Sequence, residues 1–231
     1  MKVVILTGGI GSRFSLKSPK ALALIGEKPI IWHIMKQYSH FGFNEFIIVL
    51  GHFGEVIKKE LPKYCSDEFR IQFVDTGLGT KNGSRIKKIE PTVGKNTFML
   101  TWCDGLSDIN IQDLLVFHKS HKKLATVTAV NPVSIYGYLD INQNQVVTFN
   151  EKPKLENDWI NGAFFVLEPG IFDFIPNTNC RWEKEPMIKL TQDGELMAFK
   201  HDSFWYSMDT YKDNIVLNNM WKSDSAKWKI W

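Results

Sequence analysis

The chain has 231 residues, 44% of them hydrophobic, which is enough to bury a sizeable core in a single α/β domain. Its formal net charge is only +3 and the basic residues are spread along the chain, so we expect no nucleic-acid partner. Cys65, Cys103 and Cys180 show neither metal-binding nor redox spacing, which favours reduced thiols and a cytoplasmic location. No apolar run reaches the length of a bilayer span and no signal peptide precedes the first predicted strand, so we expect no membrane partner.

Strand-like and helix-like segments alternate through the first half of the chain. This alternation is typical of a parallel sheet that is covered by helices. The predicted elements are, in order, a strand at 2–7, a helix at 29–40, a strand at 46–50, a helix at 54–61, strands at 71–74 and 97–101, a helix at 110–120 and a strand at 125–130.

The pattern changes after residue 130, where alternating polar and apolar residues predict a hairpin. From the whole pattern we predict one domain with a doubly wound α/β fold, in which a mixed, mostly parallel sheet carries a small hairpin and C-terminal appendage. The elements predicted in this half are hairpin strands at 136–141 and 145–149, a strand at 159–167, a short helix near 169–175, a helix near 183–192, strands near 196–200 and 204–207, and a helix from about 210 to 221.

The first strand runs directly into a glycine-containing loop, Thr7-Gly8-Gly9-Ile10-Gly11-Ser12-Arg13. Glycine has no Cβ and tolerates positive φ, so this backbone can approach a ligand closely and present bare N–H groups to phosphate oxygens. The spacing matches neither the dinucleotide fingerprint nor the ATP-cradling loop that ends in Gly-Lys-Ser/Thr. Arg13 adds a guanidinium that could grip a polyphosphate in bidentate geometry. The glycines alone are equally consistent with a tight strand-to-helix turn.

Two aspartates follow predicted strands. Asp104 comes after the apolar strand at 97–101, and Asp209 comes after the strand near 204–207. Mg²⁺ prefers such oxygen ligands and needs only one or two carboxylates when substrate phosphates complete its shell. Each aspartate taken alone is also explained by a turn or by an N-cap of the next helix, but the two together indicate a metal site.

Several of these strand ends are expected to meet. Open parallel sheets bind ligands in the crevice outside the carboxyl ends of their strands, so we expect the loops at 7–13, 75–84 and 102–105 to converge. The histidines show no zinc-like spacing with cysteines or carboxylates, and no serine-nucleophile pattern is present.

Two lysines lie beside prolines that restrict the backbone. Lys20 follows Pro19 and Lys152 precedes Pro153, and either ammonium could be held toward the same phosphates. The alternative for each lysine is an ordinary solvated surface charge.

These motifs resemble those of the sugar-1-phosphate nucleotidylyltransferases along nearly the whole chain. The segments that carry this resemblance are Gly8-Gly9-Ile10-Gly11-Ser12-Arg13, Pro19-Lys20, Gly26-Glu27-Lys28-Pro29-Ile30, Asp104-Gly105, Glu151-Lys152-Pro153, Asn161-Gly162 and Asp209. Within this superfamily the chain is most similar to bacterial glucose-1-phosphate cytidylyltransferases, in segments such as 31–38, 74–77, 117–121, 159–162 and 228–231.

The resemblance implies a Rossmann-like nucleotidyltransferase fold and a Mg²⁺-dependent cytidylyltransferase. Such an enzyme transfers CMP from CTP to a phosphorylated acceptor, above all glucose 1-phosphate, and releases pyrophosphate. The product would be a CDP-activated compound for surface polysaccharide assembly, and the resemblance also implies a homo-oligomer. Within the single domain 1–231 it implies a nucleotide-binding part at about 1–130, an acceptor-binding part at about 131–210, and a C-terminal helix and tail at 211–231.

The resemblance also implies roles for individual residues. Arg13, Lys20 and Lys152 would be catalytic, and Asp104 and Asp209 would hold Mg²⁺. The residues implied for the nucleotide, with the loop from Thr76 to Arg85 around the cytosine, are Thr7, Gly8, Gly9, Gly11, Ser12, Arg13, Thr76, Gly77, Thr80, Ser84, Arg85 and Asp104. Those implied for the acceptor are Gly105, Glu151, Lys152 and Asn161.

Two segments depart from the pattern of the cytidylyltransferases. The glycine loop reaches Pro19-Lys20 after only Phe14-Ser15-Leu16-Lys17-Ser18, and the segment between Tyr64 and Ile71 is shortened. The first departure bears on the triphosphate contacts, and both bear on subunit packing.

The acceptor therefore stays open. It is either glucose 1-phosphate or another phosphate, such as a heptose phosphate, a phosphocholine-like compound or a phosphorylated amide such as phosphoglutamine, used in capsule or lipopolysaccharide modification. The alternative from another class is a non-catalytic nucleotide-binding regulatory module. Such a module could lose Arg13, Lys20, Asp104 or Asp209, and this chain keeps all of them.

Overall fold

A computed structural model of the chain describes residues 1–9, 14, 18–134 and 136–231. Gly11, Ser12 and Arg13, which are predicted to bind the phosphates of the nucleotide, lie outside the described residues. Among the residues that are described, no helix combines the length and the apolar composition that a membrane span requires.

A seven-stranded sheet forms the centre of the described structure. Its strands are β1 Lys2–Leu6, β4 Glu45–Leu50, β5 Arg70–Asp75, β6 Phe98–Trp102, β8 Ala125–Val130, β11 Ile160–Leu167 and β12 Leu196–His201. Their spatial order is β12-β8-β11-β6-β1-β4-β5. β1 pairs in parallel with β4 and β6, β4 with β5, and β8 with β12, whereas β11 is antiparallel to both of its neighbours.

Helices cover both faces of this sheet, because its central strands bury side chains on both sides. Along β1, Val3 and Ile5 pack into one apolar core while Val4 and Leu6 pack into the other, as the two-residue period of a strand requires. One core takes side chains from α1 Ile30–His40, α2 Gly54–Glu60, α5 Ile111–His121 and α7 Tyr211–Lys222. The other takes side chains from α3 Asn82–Lys88, α4 Glu90–Val93 and α6 Glu185–Gln192. The predicted doubly wound, mixed sheet is confirmed.

Three small two-stranded sheets are attached to this centre. They are the pair β2 Leu24–Ile25 and β3 Lys28–Pro29, the pair β7 Gly105–Ser107 and β13 Trp205–Ser207, and the hairpin β9 Gly137–Asn142 and β10 Gln145–Glu151. The predicted hairpin is confirmed, and its residues are exposed along both strands. Short 3-10 helices at Lys20–Leu22, Leu61–Tyr64 and Pro169–Phe174 complete the described elements.

The predicted polar loop at 75–84 is wrong at its C-terminal end, because α3 begins at Asn82. Asn82-Gly83-Ser84 has weak helix propensity, so no local pattern predicts a helix there. Contacts with the segment 180–182 hold the first turn of α3 in place. Cys180 donates its backbone N–H to Ser84 Oγ at 2.8 Å, and a Cβ on Gly83 would lie 2.8 Å from the backbone nitrogen of Trp182.

Candidate active site

A cavity of about 430 Å³ opens at the carboxyl ends of β1 and β6. This is the edge at which open parallel sheets bind ligands, and the predicted glycine loop and Asp104 both reach it. The cavity is lined by Leu6, Thr7, Gly8, Gly9, Pro19, Lys20, Ala21, Asn82, Arg85, Trp102, Cys103, Asp104 and Asp209.

Lys20 lies between the two predicted metal ligands. Its Nζ is 2.6 Å from Asp104 Oδ2 and 3.3 Å from Asp209 Oδ1. Burial would lower the pKa of Lys20, but the two carboxylates outweigh this effect and raise its pKa above the ordinary value. The side chain is therefore a fully charged ammonium that bridges two anions at the cavity wall.

Backbone pairing brings the two aspartates together. Asp104 directly precedes β7 and Asp209 follows β13, and the antiparallel register of these strands sets Ser207 opposite Gly105. The Met208 N–H also donates to the Asp104 carbonyl oxygen at 2.9 Å. The side-chain positions of two carboxylates that lie far apart in sequence are thus fixed by main-chain hydrogen bonds.

The carboxylate pair fits the donor set of a hard divalent cation. Mg²⁺ takes one or two protein carboxylates and fills its remaining positions with water and phosphate oxygens. No group of three or more histidine, cysteine, aspartate or glutamate side chains in the described part of the chain could form a protein-only metal cage. Asp104 and Asp209 therefore suit a metal that enters together with a phosphate ligand.

Cys103 separates the strand end from Asp104 and contributes to the cavity wall. Burial and the neighbouring carboxylate raise the pKa of its thiol to about 12, so the sulfur stays protonated at neutral pH. A neutral thiol is a poor nucleophile and a poor metal ligand. Cys103 consequently serves as a small apolar wall residue here.

The described start of the glycine loop is closely packed on one side and open on the other. The Thr7 hydroxyl donates to the Val49 carbonyl oxygen at 2.9 Å. A Cβ on Gly8 would lie 2.4 Å from the Arg85 Cζ atom, whereas a Cβ on Gly9 would meet nothing within 4 Å. Gly8 is thus required for packing, and Gly9 leaves the backbone accessible from the cavity.

Arg85 contacts the backbone at the start of the glycine loop. Its guanidinium is only 5% exposed at the residue level and donates to the Leu50 and Gly8 carbonyl oxygens at 2.8 and 3.0 Å. It also donates to the Thr76 hydroxyl. Burial lowers the pKa of Arg85, and Asp75 partly offsets this effect. The nucleotide contact predicted for Arg85 stays a prediction. Its contacts with the backbone at the ends of two strands are a role that the residue pattern did not reveal.

Four other residues predicted for the nucleotide, Thr76, Gly77, Thr80 and Ser84, do not line the cavity. Their polar groups bind the protein itself. The Gly77 N–H donates to Asp75 Oδ1 at 2.8 Å, the Thr80 hydroxyl donates to the Thr76 carbonyl oxygen at 2.7 Å, and Gly77 has a φ of +86°. These contacts shape a rigid loop, and binding of the base by this loop stays a prediction.

Gly105 and Asn161, predicted for the acceptor, lie on β7 and β11 and are not among the residues that line the cavity. β11 pairs with β8 through a bulge between Asn161 and Phe165, and the Asn161 Oδ1 atom accepts the Ala163 N–H at 2.8 Å. Trp205 on β13 donates its indole N–H to the Gly162 carbonyl oxygen at 2.8 Å. Trp205 therefore joins the strand that leads to Asp209 to the bulge that presents Asn161, a link that the sequence alone did not show.

Glu151 and Lys152, also predicted for the acceptor, are not brought into the cavity. Both are exposed at the end of β10, with Lys152 Nζ 3.8 Å from Glu151 Oε1. Lys152 has a φ of +48°, an uncommon conformation for lysine that marks a tight turn at the base of the hairpin. Their proposed contacts with an acceptor stay predictions.

Comparison with known proteins identifies the family. The family model described as "Nucleotidyl transferase" matches residues 2–213. Glucose-1-phosphate cytidylyltransferases from Salmonella typhimurium and Salmonella typhi are each 42% identical over 256 aligned residues that cover all of both chains. A mannose-1-phosphate guanyltransferase from Kluyveromyces lactis is 29% identical over 98% of this chain and 68% of its own length.

Solved structures share the fold at lower identity. HddC from Yersinia pseudotuberculosis complexed with GMP-PN aligns with a TM-score of 0.76 and 21% identity, over 95% of this chain and 99% of that chain. A second crystal structure of HddC from Yersinia pseudotuberculosis aligns with a TM-score of 0.74, over 95% of this chain and 99% of that chain. Because the family model extends over almost all of the sequence, the chain belongs to the nucleotidyl transferase family of enzymes.

Proposed function

We propose that this enzyme transfers CMP from CTP to a phosphorylated acceptor, with glucose 1-phosphate as the first candidate, and releases pyrophosphate. One observation carries the proposal: Lys20, Asp104 and Asp209 meet at the carboxyl edge of the sheet. The choice of nucleotide and acceptor rests on the full-length similarity to glucose-1-phosphate cytidylyltransferases at 42% identity.

The proposed chemistry needs no protein base. A phosphate monoester has a second pKa near 6 and is largely dianionic at neutral pH, so its oxygen can attack the α-phosphorus of CTP directly. The bond from that oxygen to the α-phosphorus forms as the bond between the α-phosphorus and the oxygen that bridges it to the β-phosphorus breaks, and this bridging oxygen leaves with pyrophosphate. Catalysis then consists mainly of positioning and charge stabilisation. Thr7, Gly8 and Gly9 would hold the triphosphate, together with Gly11, Ser12 and Arg13.

Asp104 and Asp209 would hold Mg²⁺, which when bound neutralises phosphate charge. In the structure the Lys20 ammonium lies between these carboxylates. Lys20 would therefore turn from the carboxylates to the phosphates when the nucleotide binds. There it would stabilise the charge that develops on the leaving pyrophosphate.

A second candidate is the same reaction with a non-glucose or non-sugar phosphate. It is favoured by one observation: the alignment with the Salmonella typhimurium enzyme extends over 256 positions, whereas this chain has 231 residues. The chain thus lacks segments that this relative contains. The binding of the organic part of the acceptor by Gly105, Asn161 and Glu151, and of its phosphate by Lys152, belongs to either candidate.

Two further expectations concern the environment of the enzyme. We propose a cytoplasmic location, which the unpaired state of Cys65, Cys103 and Cys180 supports. We also propose a homo-oligomer, since the exposed hairpin carries Leu139, Phe149 and other apolar side chains that a second subunit would cover.

Pyrophosphate release tests the proposed function. CTP, UTP, dTTP, ATP and GTP are each combined with glucose 1-phosphate, phosphocholine and phosphoglutamine in the presence of Mg²⁺. We expect release with CTP and one acceptor, and loss of release in Asp104→Asn. The control, Asp173→Asn, changes an exposed aspartate outside the cavity lining and should keep the activity.

Three outcomes are informative. Release only with a nucleotide other than CTP would overturn the cytidine assignment but keep the chemistry. Release of pyrophosphate from CTP with phosphoglutamine as acceptor, but not with glucose 1-phosphate, would select the second candidate. Full activity of Asp104→Asn would remove this carboxylate from the proposed site.

A further inference from the structure

Asp108 is the centre of a hydrogen-bond cluster outside the cavity. Its Oδ1 atom accepts the Phe204 backbone N–H at 3.0 Å and lies 2.9 Å from His201 Nε2. Its Oδ2 atom accepts the Ser203 hydroxyl at 2.7 Å. One carboxylate thereby binds the last residue of β12 and two residues of the turn that joins β12 to β13.

Backbone and hydroxyl contacts complete the same junction. The Ser107 hydroxyl donates to the Phe204 carbonyl oxygen at 2.8 Å, and the Asp108 N–H donates to the same oxygen at 3.3 Å. The Ile109 N–H donates to Ser107 Oγ at 3.2 Å. The C-terminal end of β7 is therefore tied to the N-terminal end of β13.

This junction lies at one end of the short ribbon formed by β7 and β13, and the two proposed metal ligands lie at the other end. Each strand has only three residues, and two-stranded sheets of this size are marginally stable by themselves. A slip of one residue in the pairing would reverse the faces of every side chain on β13 and carry Asp209 away from Asp104. The relative position of the two carboxylates thus depends on what fixes the ribbon.

We propose that Asp108 is a positioning residue that fixes the register of this ribbon and thereby the separation of Asp104 and Asp209. It acts through the backbone and touches neither the cavity nor the reacting groups. The inference rests on the proposed function, because it requires that Asp104 and Asp209 act as a pair on a metal.

A nucleophilic triad of Ser107, His201 and Asp108 does not fit the same geometry. Ser107 Oγ and Asp108 Oδ1 both lie near a single ring atom, His201 Nε2, at 3.1 and 2.9 Å. A triad needs the acid on one ring nitrogen and the nucleophile on the other. The Ser107 hydroxyl is also committed to the Phe204 carbonyl oxygen. The arrangement serves to join strands.

The test measures metal affinity directly. Mn²⁺ binding to the full chain is followed by electron paramagnetic resonance in the presence of a non-hydrolysable CTP analogue, for wild type, Asp108→Asn and Asp108→Ala. Loss of a residue that orients metal ligands typically weakens metal binding by about 10–100-fold, and we expect Asp108→Ala in this range. Asp108→Asn keeps one acceptor oxygen for the Phe204 N–H, so its loss should be smaller.

Glu195→Ala is the matched control. Glu195 also accepts two hydrogen bonds, one from the Leu124 backbone N–H and one from the Lys123 ammonium. It directly precedes β12, at the end of that strand opposite to His201. We expect Glu195→Ala to lower the melting temperature while leaving Mn²⁺ affinity unchanged. Binding of the CTP analogue without metal should be the same in all variants.

The outcomes separate the inference from the function on which it rests. Unchanged Mn²⁺ affinity in Asp108→Ala, with lost affinity in Asp104→Asn, would overturn the positioning role and leave the metal pair intact. Unchanged affinity in Asp104→Asn would overturn both. If Asp108→Ala does not fold, Ser203→Ala provides a milder test, because it removes a single exposed hydrogen bond of the cluster. Wild-type Mn²⁺ affinity in both Ser203→Ala and Asp108→Asn would then overturn the positioning role of Asp108.

Discussion

Lys20 pairs with two carboxylates in the structure and would contact the phosphates in the proposed complex. Two carboxylates held this close would repel each other, and the ammonium between them at 2.6 and 3.3 Å neutralises that repulsion. The short 3-10 helix Lys20–Leu22, which begins after the extended Pro19, carries the side chain to this position. The same ammonium would be needed at the phosphates during turnover.

This double role predicts opposite effects of Lys20→Met on metal binding and on turnover. Turnover should fall by about 10²–10³-fold, the usual loss when one charge-stabilising donor is removed. Mn²⁺ affinity of the nucleotide-free enzyme should rise, because the ammonium no longer occupies the space between the carboxylates. Calorimetry and steady-state kinetics measure the two quantities on the same preparation.

Lys36→Met serves as the control for Lys20→Met. Lys36 also pairs with a carboxylate, Glu68, at 2.9 Å, but on α1 and away from the cavity. Neither turnover nor metal affinity should change in this variant. A fall of both quantities in Lys20→Met would contradict the exchange of partners proposed for Lys20.

At the scale of elements, Arg85 couples α3 to the ends of β1 and β4. Its guanidinium lies against the backbone of Gly8 and of Gly51, where a Cβ would come within 2.4 and 2.3 Å of it. Neither glycine has a positive φ, so close approach and not backbone conformation requires glycine at these two positions.

The packing of Arg85 predicts a difference between two neighbouring substitutions. Gly8→Ala should destabilise the fold by about 1–3 kcal/mol, because the new methyl group displaces a buried guanidinium from the Leu50 and Gly8 carbonyl oxygens. Gly9→Ala, one residue further, should change the stability by no more than about 0.5 kcal/mol, because its Cβ meets nothing within 4 Å. Urea unfolding of both variants measures the difference, and equal losses would contradict the role of Arg85.

The elements that could be predicted from the sequence are those with long periodic patterns. The strand at 2–7, with its continuous apolar run, and the periodic helix at 29–40 are confirmed within a few residues, as β1 Lys2–Leu6 and α1 Ile30–His40. α3 could not be predicted, because Asn82-Gly83-Ser84 is held helical by residues about 100 positions away in sequence. β7 has only three residues and exists through its pairing with β13, so no local pattern marks it.

The candidate site divides in the same way. The convergence of the glycine loop, Lys20 and Asp104 could be predicted, because the carboxyl ends of parallel strands meet at one edge whatever their separation in sequence. The contacts of Arg85 with Gly8 and of Asp108 with Phe204 could not be predicted, because each joins segments that are far apart in sequence and share no local pattern. Long-range side-chain geometry is therefore the part of this site that needs the structure.

At the scale of the whole molecule, the C-terminal tail at 223–231 packs against α1, whose His33 contacts the β2–β3 pair. Trp228 is fully buried and donates its indole N–H to His33 Nδ1 at 3.4 Å, while His33 Nε2 lies 2.9 Å from the Ile25 carbonyl oxygen. An indole can only donate, so Nδ1 must accept and Nε2 carries the proton that binds Ile25. His33 thus links the tail to the β2–β3 pair, which follows Lys20 in sequence.

This arrangement requires a neutral imidazole and predicts acid sensitivity of the whole fold. Burial lowers the pKa of His33 from 6.5 to about 4, and the hydrogen bond to Ile25 only partly offsets this effect. The unfolded chain therefore binds a proton at a higher pH than the folded chain. Stability from His33 is fully present above pH 6.5 and is lost as the pH falls toward 4, by up to about 3 kcal/mol.

His33→Gln should flatten this pH dependence, because an amide can donate to the Ile25 carbonyl oxygen and cannot become charged. We expect the variant to be somewhat less stable than wild type at pH 7.5 and to approach or exceed it at pH 5. Trp228→Phe removes the same indole contact but keeps the titrating imidazole, so it should lower stability at both pH values and keep the wild-type slope. Urea unfolding at the two pH values gives the comparison, and an unaltered slope in His33→Gln would show that another group, such as the buried His118, controls the acid sensitivity.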